Sequence, residues 1–390
     1  MIVHGQTAAR TLPFDIFYAI FSVIATMEDG FDTLKSCSLT CKALHPLCQR
    51  HLFTDVVLPP CRDSHEPTLY SAQFAAILEG KPEIANLRNV ENLEITTQGE
   101  EVHWSSIYND LQRAIIRIIQ SPKVAHLSLR LFSGLPIASI LMPCTGLIGV
   151  ELNLLSDPAD TLSLPLAMES PSLPVDDVKM PRPEKFSIKA SSTAAMLLLE
   201  PKRQHGHPMV DLTHLTDLSF ELEDLDDRIL AGLILQSSLC LKTLRCEVVY
   251  AMDFAGILQK INPASKKTLE YLEFFLEIEN EVEDPLFGLP QELDYLSGKN
   301  QIQGLIIEVL VTTDCICSTR VDDWNKLETV LTADSFPSLR NVTIEVTISR
   351  SMNTESALRT RLLTMSQEAF RDLKCRPLVQ LDFAVIYEYV

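Results

Sequence analysis

The sequence predicts an α/β protein, in which a short N-terminal helical segment precedes a body of repeated strand and helix units that share one parallel sheet. Three observations lead to this fold class. Residues 11–58 carry helix start and stop signals, ten copies of one apolar pattern lie beyond residue 86, and stretches with helical signals separate those copies. A strand followed by a helix, repeated along the chain, favours neighbouring strands that run parallel.

The composition narrows the class of protein. The 390 residues are 46% hydrophobic, which is enough apolar sequence for a large core. The formal net charge of -19 argues against a nucleic-acid partner, because proteins bind phosphates mainly through Lys and Arg. The ten cysteines are dispersed along the chain, so we interpret them as reduced thiols of a cytoplasmic or nuclear protein.

A first helix is predicted to begin near residue 12. Leu12 and Pro13 place a proline in the first turn, where the missing amide hydrogen removes no hydrogen bond, and Asp15 lies at the positive end of the helix dipole. The apolar residues between 16 and 24 occupy more than one helical face. We therefore expect this helix to bury one face internally and to offer another face to a partner.

A second helix follows, for which Asp32 is a suitable N-cap and which Pro46 closes before a third turn begins at Leu47. At these residues the stretch resembles an F-box of the type common in fungi. The matching positions are Leu12-Pro13 with Asp15, the apolar Ile16, Ile20 and Phe21, the block DTLKSCSL at 32–39, the block CKA at 41–43, and RHLF at 50–53. Two positions depart from the usual pattern, since Asp15 replaces a glutamate and Leu44 replaces an aromatic residue.

The F-box resemblance implies that the N-terminal segment docks on the Skp adaptor of a Skp, cullin and F-box ubiquitin ligase, and through it on a cullin. The residues that the resemblance assigns to adaptor binding are Leu12, Pro13, Ile16, Ile20, Phe21, Leu34, Leu39 and Leu44. Two other interpretations stay open: a secretory signal peptide, with Arg10 ahead of an apolar run, and an ordinary helical cap on a larger domain. As a membrane span the apolar run 16–27 is too short, because a span needs about 20 residues.

The body is predicted from a pattern in which apolar residues stand at positions one, four and six. The middle residues of its ten copies are Leu93, Leu127, Val150, Phe186, Leu218, Leu244, Leu272, Leu305, Val342 and Leu381. Their spacing varies from 23 to 39 residues and averages 32, slightly more than the roughly 20 to 29 residues of standard leucine-rich repeats. The body resembles the leucine-rich-repeat bodies that follow many F-boxes, which implies a solenoid with the sheet on the concave face and helices outside. A closed or doubly wound α/β domain is the alternative.

Helices are expected between the strands, at 108–120, 226–236, 322–331 and 354–373. Proline, serine and aspartate at 156–185 predict a mobile loop, and a second insertion with two prolines occupies 279–299. The predicted domain organisation is a flexible N-terminus at 1–10, the F-box at 11–58, a linker helix at 59–85 and the repeat body at 86–390.

One residue in each predicted strand is a candidate for substrate binding. Side chains alternate between the faces of a strand, so the residue after the third apolar position should lie on the open face of the sheet. We call these ten residues the outer row: Thr96, Arg130, Asn153, Lys189, Glu221, Glu247, Phe275, Glu308, Glu345 and Ala384. Adjacent glutamates would repel one another unless a cation relieves them, so we hypothesise that Glu221, Glu247, Glu308 and Glu345, with Phe275 as an apolar anchor, bind a basic segment of a protein substrate. Exposed strand positions that are simply polar are the alternative.

Catalytic signatures are not found in the sequence, which contains no phosphate loop, no GxGxxG and no GxSxG. Cys315 with Cys317 and His205 with His207 each lack a partner pair at structural-zinc spacing, so we expect no metal and no cofactor. The aromatic residue of His103-Trp104 is interpreted as a packing residue at a helix cap, and a binding aromatic is the alternative. The favoured function is a non-enzymatic substrate receptor of a ubiquitin ligase. A leucine-rich-repeat scaffold unconnected to ubiquitin is the first alternative, and an enzyme on an α/β body is the second.

Overall fold

The described part of the chain contains an N-terminal helical module and a large parallel sheet. In the computed structural model the described residues are 14–27, 29–40, 42–52, 54–58, 90–97, 101–107, 109–156, 180–199, 208–249, 254–278, 286, 288–298, 300–312, 321–332, 335–349, 360, 362–364, 368 and 370–388. The predicted flexible N-terminus 1–10, the linker helix 59–85 and most of the proline-rich loop therefore lie outside these residues.

The helical module consists of α1 (Phe14–Ala25), α2 (Gly30–Thr40) and α3 (His45–Leu52). Its core is a small apolar cluster around Phe21, Leu34 and Cys48, which is separate from the core of the sheet. Gly30 begins α2 where the chain turns back against α1, and a Cβ atom on it would lie only 2.0 Å from the carbonyl oxygen of Ile24. Glycine at this corner therefore sets how closely the first two helices approach.

Replacing Gly30 with alanine is expected to destabilise the helical module by about 2 kcal/mol, the usual scale for a clash that forces backbone to move. Gly232 provides a matched control, because it lies inside a helix where an added Cβ meets only the Lys260 side chain at 3.6 Å. Gly232→Ala should stabilise the chain by about 1 kcal/mol, as alanine restricts the unfolded chain and favours helix. Urea unfolding followed by circular dichroism measures both. Equal effects of the two substitutions would show that the corner is not tightly packed.

Eleven described strands form one row in the sheet, and every neighbouring pair is parallel. The two-residue β3 (Val102–His103) pairs beside the end of β4. The strands of the row are β1 (Asp55–Leu58), β2 (Asn92–Thr96), β4 (His126–Ser133), β5 (Gly149–Ser156), β6 (Lys185–Lys189), β7 (Asp217–Leu222), β8 (Thr243–Val248), β9 (Tyr271–Ile278), β10 (Gly304–Val311), β11 (Asn341–Ser349) and β12 (Gln380–Glu388). The strand order follows the chain order throughout, and the described strands do not close into a barrel. A doubly wound sheet would reverse its order midway, so both alternative α/β folds are wrong.

The predicted register of the strands is confirmed. The middle residues of all ten copies pair in one continuous line across the sheet, from Leu93 on β2 to Leu381 on β12. The weak copy at Phe186 takes its place in this line as β6. Because a shift of one residue would turn every apolar side chain to the other face, this alignment keeps the whole apolar set on the core side.

Helices between the strands cover one face of the sheet. They are α4 (Asn109–Ile119), α5 (Ile137–Leu141), α6 (Ser192–Leu199), α7 (Leu225–Ser237), α8 (Leu289–Asp294), α9 (Val321–Thr332) and α10 (Arg371–Lys374), with 3-10 turns at Trp104–Ser106, Leu258–Lys260 and Ser265–Lys267. Each parallel connection is expected to be right-handed, and a constant strand order then places all the helices on the same side. The apolar strand residues and the inner helix faces form one continuous core, while the other face of the sheet faces solvent.

Two elements differ from the sequence-based expectation. β1 lies inside the stretch assigned to the F-box and pairs with β2, with Val56 opposite Leu93, so it joins the helical module to the sheet. The described part of the second insertion contains α8, whose Leu289 and Leu293 are fully buried, so this segment is part of a repeat unit. Pro290 in its first turn, which had suggested an insertion, is compatible with a helix start.

Candidate functional site

Helix α1 has two apolar faces, as predicted. Phe17, Phe21 and Ile24 pack into the core of the helical module. A second stripe of the same helix and the turn after it faces solvent, with exposures of 42% at Ile16, 43% at Ile20, 63% at Val23 and 61% at Met27. Their spacing of four, three and four residues places these side chains along one line. We call these four residues the exposed stripe.

Further exposed apolar side chains of the module come from α2, namely Phe31 at 62% and Leu39 at 80%. Of the residues assigned to adaptor binding, Ile16, Ile20 and Leu39 therefore lie on the surface. Phe21 and Leu34 lie in the module's own core, with exposures of 3% and 2%, and Leu44 packs against that core. Leu12 and Pro13 are outside the described residues. The sequence assignment did not include Val23, Met27 and Phe31, although the spacing from Ile16 to Met27 was a signal for the first two.

The outer row is aligned across the open face of the sheet, as predicted. Thr96, Arg130, Asn153 and Lys189 pair in sequence on β2 to β6. Glu221, Glu247, Phe275, Glu308, Glu345 and Ala384 pair in sequence on β7 to β12. The row is thus polar or basic over its first four strands and mainly acidic over the rest.

Arg130 forms ion pairs with two carboxylates near the start of the open face. Arg130 lies 2.8 Å from Glu151 and 3.5 Å from Glu94 on the two neighbouring strands. These three side chains are about one-third exposed, so the ion pairs contribute little to stability and mainly fix the positions of the groups. This part of the face carries little uncompensated charge.

Lys189 partly relieves the predicted repulsion along the acidic half of the outer row. Its Nζ lies 2.5 Å from Oε2 of Glu247, two strands away, and thus reaches past Glu221. Glu221 is half-buried, and burial, with help from the neighbouring carboxylates of Glu247 and Glu223, raises the pKa of its carboxyl to about 7. The sequence placed these acids in one row but gave no signal that Lys189 would cross to Glu247.

On the last three strands of the sheet, the acidic side chains of the open face are accessible to solvent. Glu308 is exposed and Glu345 half-exposed, and they pair directly across β10 and β11. Asp382 is exposed on β12, two residues before the outer-row residue Ala384 and on the same face. Within the described part of the chain, these three carboxylates form no ion pair. They are available to a cationic partner.

A groove of about 530 Å³ crosses the open face from β2 to β9. It follows the starts of the strands, where small residues such as Gly149, Ser128, Ser187 and Ser219 form its lining. The sequence reasoning considered the outer row alone and therefore missed this groove. Ser128, Ser187 and Ser219, each directly after the middle residue of its copy, were the signal for it.

The described residues hold no group of three or more side chains that could bind a metal ion. The pairs Cys315 with Cys317 and His205 with His207 lie outside the described residues.

Burial raises the pKa of the Cys144 thiol to about 12, which keeps this thiol protonated at neutral pH. Trp104 is buried edge-on against Phe132, with ring centroids 6.2 Å apart, so its interpretation as a packing residue is confirmed.

A comparison of the sequence with models of protein families and with curated proteins finds no match. Among the described helices, none combines the length and the apolar character that crossing a membrane requires.

The raised pKa of Glu221 predicts a stability that falls as the pH rises. Between its ordinary value of 4.5 and about 7, the folded chain keeps a proton on this carboxyl that the unfolded chain has lost, so unfolding becomes easier across that window. Glu221→Gln should flatten the slope and be more stable than the native chain at pH 8 by roughly 1 to 2 kcal/mol, allowing for solvent screening. Urea unfolding from pH 5 to pH 8 measures the slope. Thr96→Ala, at an uncharged position of the same row, should keep the native slope, and parallel profiles for Glu221→Gln and the native chain would contradict the assignment.

Proposed function

We propose that the chain is a substrate-receptor subunit of a Skp, cullin and F-box ubiquitin ligase. The observation that carries the proposal is the two-sided helix α1, whose inner face packs in a small separate core while its exposed stripe of Ile16, Ile20, Val23 and Met27 faces water. A soluble monomer gains nothing from a line of exposed apolar side chains on a small helical module, and such a line is typical of a protein interface. The F-box resemblance is the basis for proposing a Skp adaptor as the partner.

The body supports the substrate-holding half of the proposal. We infer that its sequential parallel sheet, with helices on one face, is a leucine-rich-repeat solenoid, and that the groove follows from the curvature of the sheet. The open face would hold a protein substrate with a basic segment against Glu221, Glu247, Phe275, Glu308 and Glu345. The chain would catalyse no reaction itself and would act by holding the substrate near the ligase's catalytic partner. A cytoplasmic or nuclear location is part of the proposal.

Copurification tests the adaptor half. The Skp adaptor should copurify with the full chain, and replacing Leu12 and Pro13 with alanine should greatly reduce the amount recovered. The proposal fails if the adaptor is not recovered with the native chain, or is recovered equally with the variant. In that case a repeat scaffold unconnected to ubiquitin is the better account, because the open sheet face can bind a protein without the helical module.

A further inference from the structure

The open face of the sheet fits an extended segment better than a helix. The groove lies between residues two positions apart on each strand, such as Asn92 and Glu94, a separation of about 7 Å along the strand. A helix with its side chains is about 10 Å wide. The groove crosses six strand spacings of about 4.8 Å, or roughly 29 Å, which is the length of about nine extended residues.

An apolar patch lies where the groove ends. Tyr271 is 44% exposed, and its ring lies over Gly304 on the next strand, where a Cβ would be 2.8 Å from the ring. Phe275, on the same strand, and Ile306, on the next, are half-exposed on the same face, and Glu273 between Tyr271 and Phe275 lies 3.9 Å from Arg245 of the preceding strand. The glycine thus allows the tyrosine ring to lie against the sheet and widen an apolar surface that no described residue covers.

Beyond this patch, the charge on the open face is uniformly negative. Glu308, Glu345 and Asp382 follow on the next three strands, without ion pairs to other described residues. The midpoint between Glu308 and Glu345 is one and a half strand spacings from Phe275, about 7 Å. Asp382 lies three spacings across the sheet, about 14 Å, and two residues along its strand from the outer row, about 7 Å. Side chains on one side of an extended peptide recur every two residues, at about 7 Å and about 14 Å.

We propose that this face binds an extended segment in which an apolar residue is followed, two and four positions along in either chain direction, by basic residues. The apolar side chain would bury against Tyr271, Phe275 and Ile306. The first basic side chain would lie between Glu308 and Glu345, and the second against Asp382. The inference rests on the proposed function, since it specifies which protein segment the receptor would hold.

Fluorescence anisotropy with two labelled nine-residue peptides tests the proposal. Both contain one leucine and two lysines in a glycine and serine background, with leucine at the third position. The lysines stand at the fifth and seventh positions in the matched peptide and at the fourth and sixth in the shifted one, which turns them to the opposite side. The matched peptide should bind the full chain about tenfold more tightly in low salt, a difference of about 1.4 kcal/mol.

Variants of two residues, Glu345 and Phe275, locate the binding. Glu345→Lys should reduce the affinity for the matched peptide to that for the shifted one, and Phe275→Ala should weaken both peptides. Glu345→Gln should also reduce the affinity for the matched peptide, and it perturbs folding less than Glu345→Lys. Glu94→Gln, an acid on the same face that Arg130 already neutralises, is the matched control and should change neither affinity.

Equal binding of the two peptides overturns the inference, as does the absence of binding at about 1 mM, or an affinity that Glu345→Lys and Glu345→Gln leave unchanged. Adaptor copurification with the same variants separates this result from the proposed function. If the adaptor is recovered but the peptides are not discriminated, the inference alone fails. If the native chain discriminates the peptides but recovers no adaptor, the proposed function fails and the peptide site stands.

Discussion

Replacing Ile20 and Val23 together with glutamate is expected to weaken binding of the Skp adaptor by about 100-fold or more. Both side chains lie in the exposed stripe, where burial of each by a partner would contribute about 1.5 kcal/mol or more. The glutamates would also have to lose their hydration inside an apolar interface. A 100-fold loss corresponds to about 2.7 kcal/mol, which is less than the sum of these effects.

Titration calorimetry with purified adaptor measures the affinity, and circular dichroism checks that the variant is folded. Leu225→Glu with Ile229→Glu is the matched control, because both leucine and isoleucine are exposed apolar residues on a helix, α7, that has no place in the proposed adaptor interface. The control should bind the adaptor as the native chain does. An unchanged affinity in the stripe variant would remove α1 from the interface.

Replacing Glu292 with alanine is expected to destabilise the chain by about 3 kcal/mol. This glutamate of α8 is buried, and its carboxylate accepts hydrogen bonds from the backbone N–H groups of Gly256 and Leu258 in the preceding connection. Removing it leaves the amides of buried Leu258 and half-buried Gly256 without this acceptor, and each such loss costs about 1 to 3 kcal/mol when the group is buried. The interaction ties one strand and helix unit to the unit before it.

Chemical unfolding measures this loss. Glu292→Gln keeps one acceptor oxygen and should cost about 1 kcal/mol, while Glu308→Ala on the open face should stay within about 0.5 kcal/mol of the native chain. If Glu292→Ala is no more damaging than Glu308→Ala, the buried carboxylate does not join the two units.

The sheet could be predicted because its signal is repeated and strict. An apolar side chain shifted by one residue would face water, so each copy from Leu93 to Leu381 had to carry the same spacing, and even the weak copy at Phe186 kept two of the three positions. The helix at 226–236 was predicted from its acidic start, and the structure adds that Asp224 caps it and that Asp227 completes a capping box. The outer row followed directly from the alternation of side chains.

Other features depend on contacts between distant parts of the chain. Strand β1 is only four residues long, and its pairing with β2 depends on a neighbour that follows 37 residues later in the register, from Asp55 to Asn92. Helix α8 was not predicted from the sequence, because Gly288 and Pro290 signal a turn as readily as a helix start. The ion pair of Lys189 with Glu247 spans two strands, and nothing in the local sequence of either residue specifies it.

The most direct test of the account is the mass of a reconstituted complex. The chain, a Skp adaptor and the adaptor-binding part of a cullin, mixed in equal amounts, are expected to elute together from size exclusion with a light-scattering mass equal to the sum of the three. The variant with Ile20→Glu and Val23→Glu should elute alone, leaving the adaptor and the cullin together. If the native chain also elutes alone, its helical module does not connect it to a ubiquitin ligase, and the central proposal is wrong.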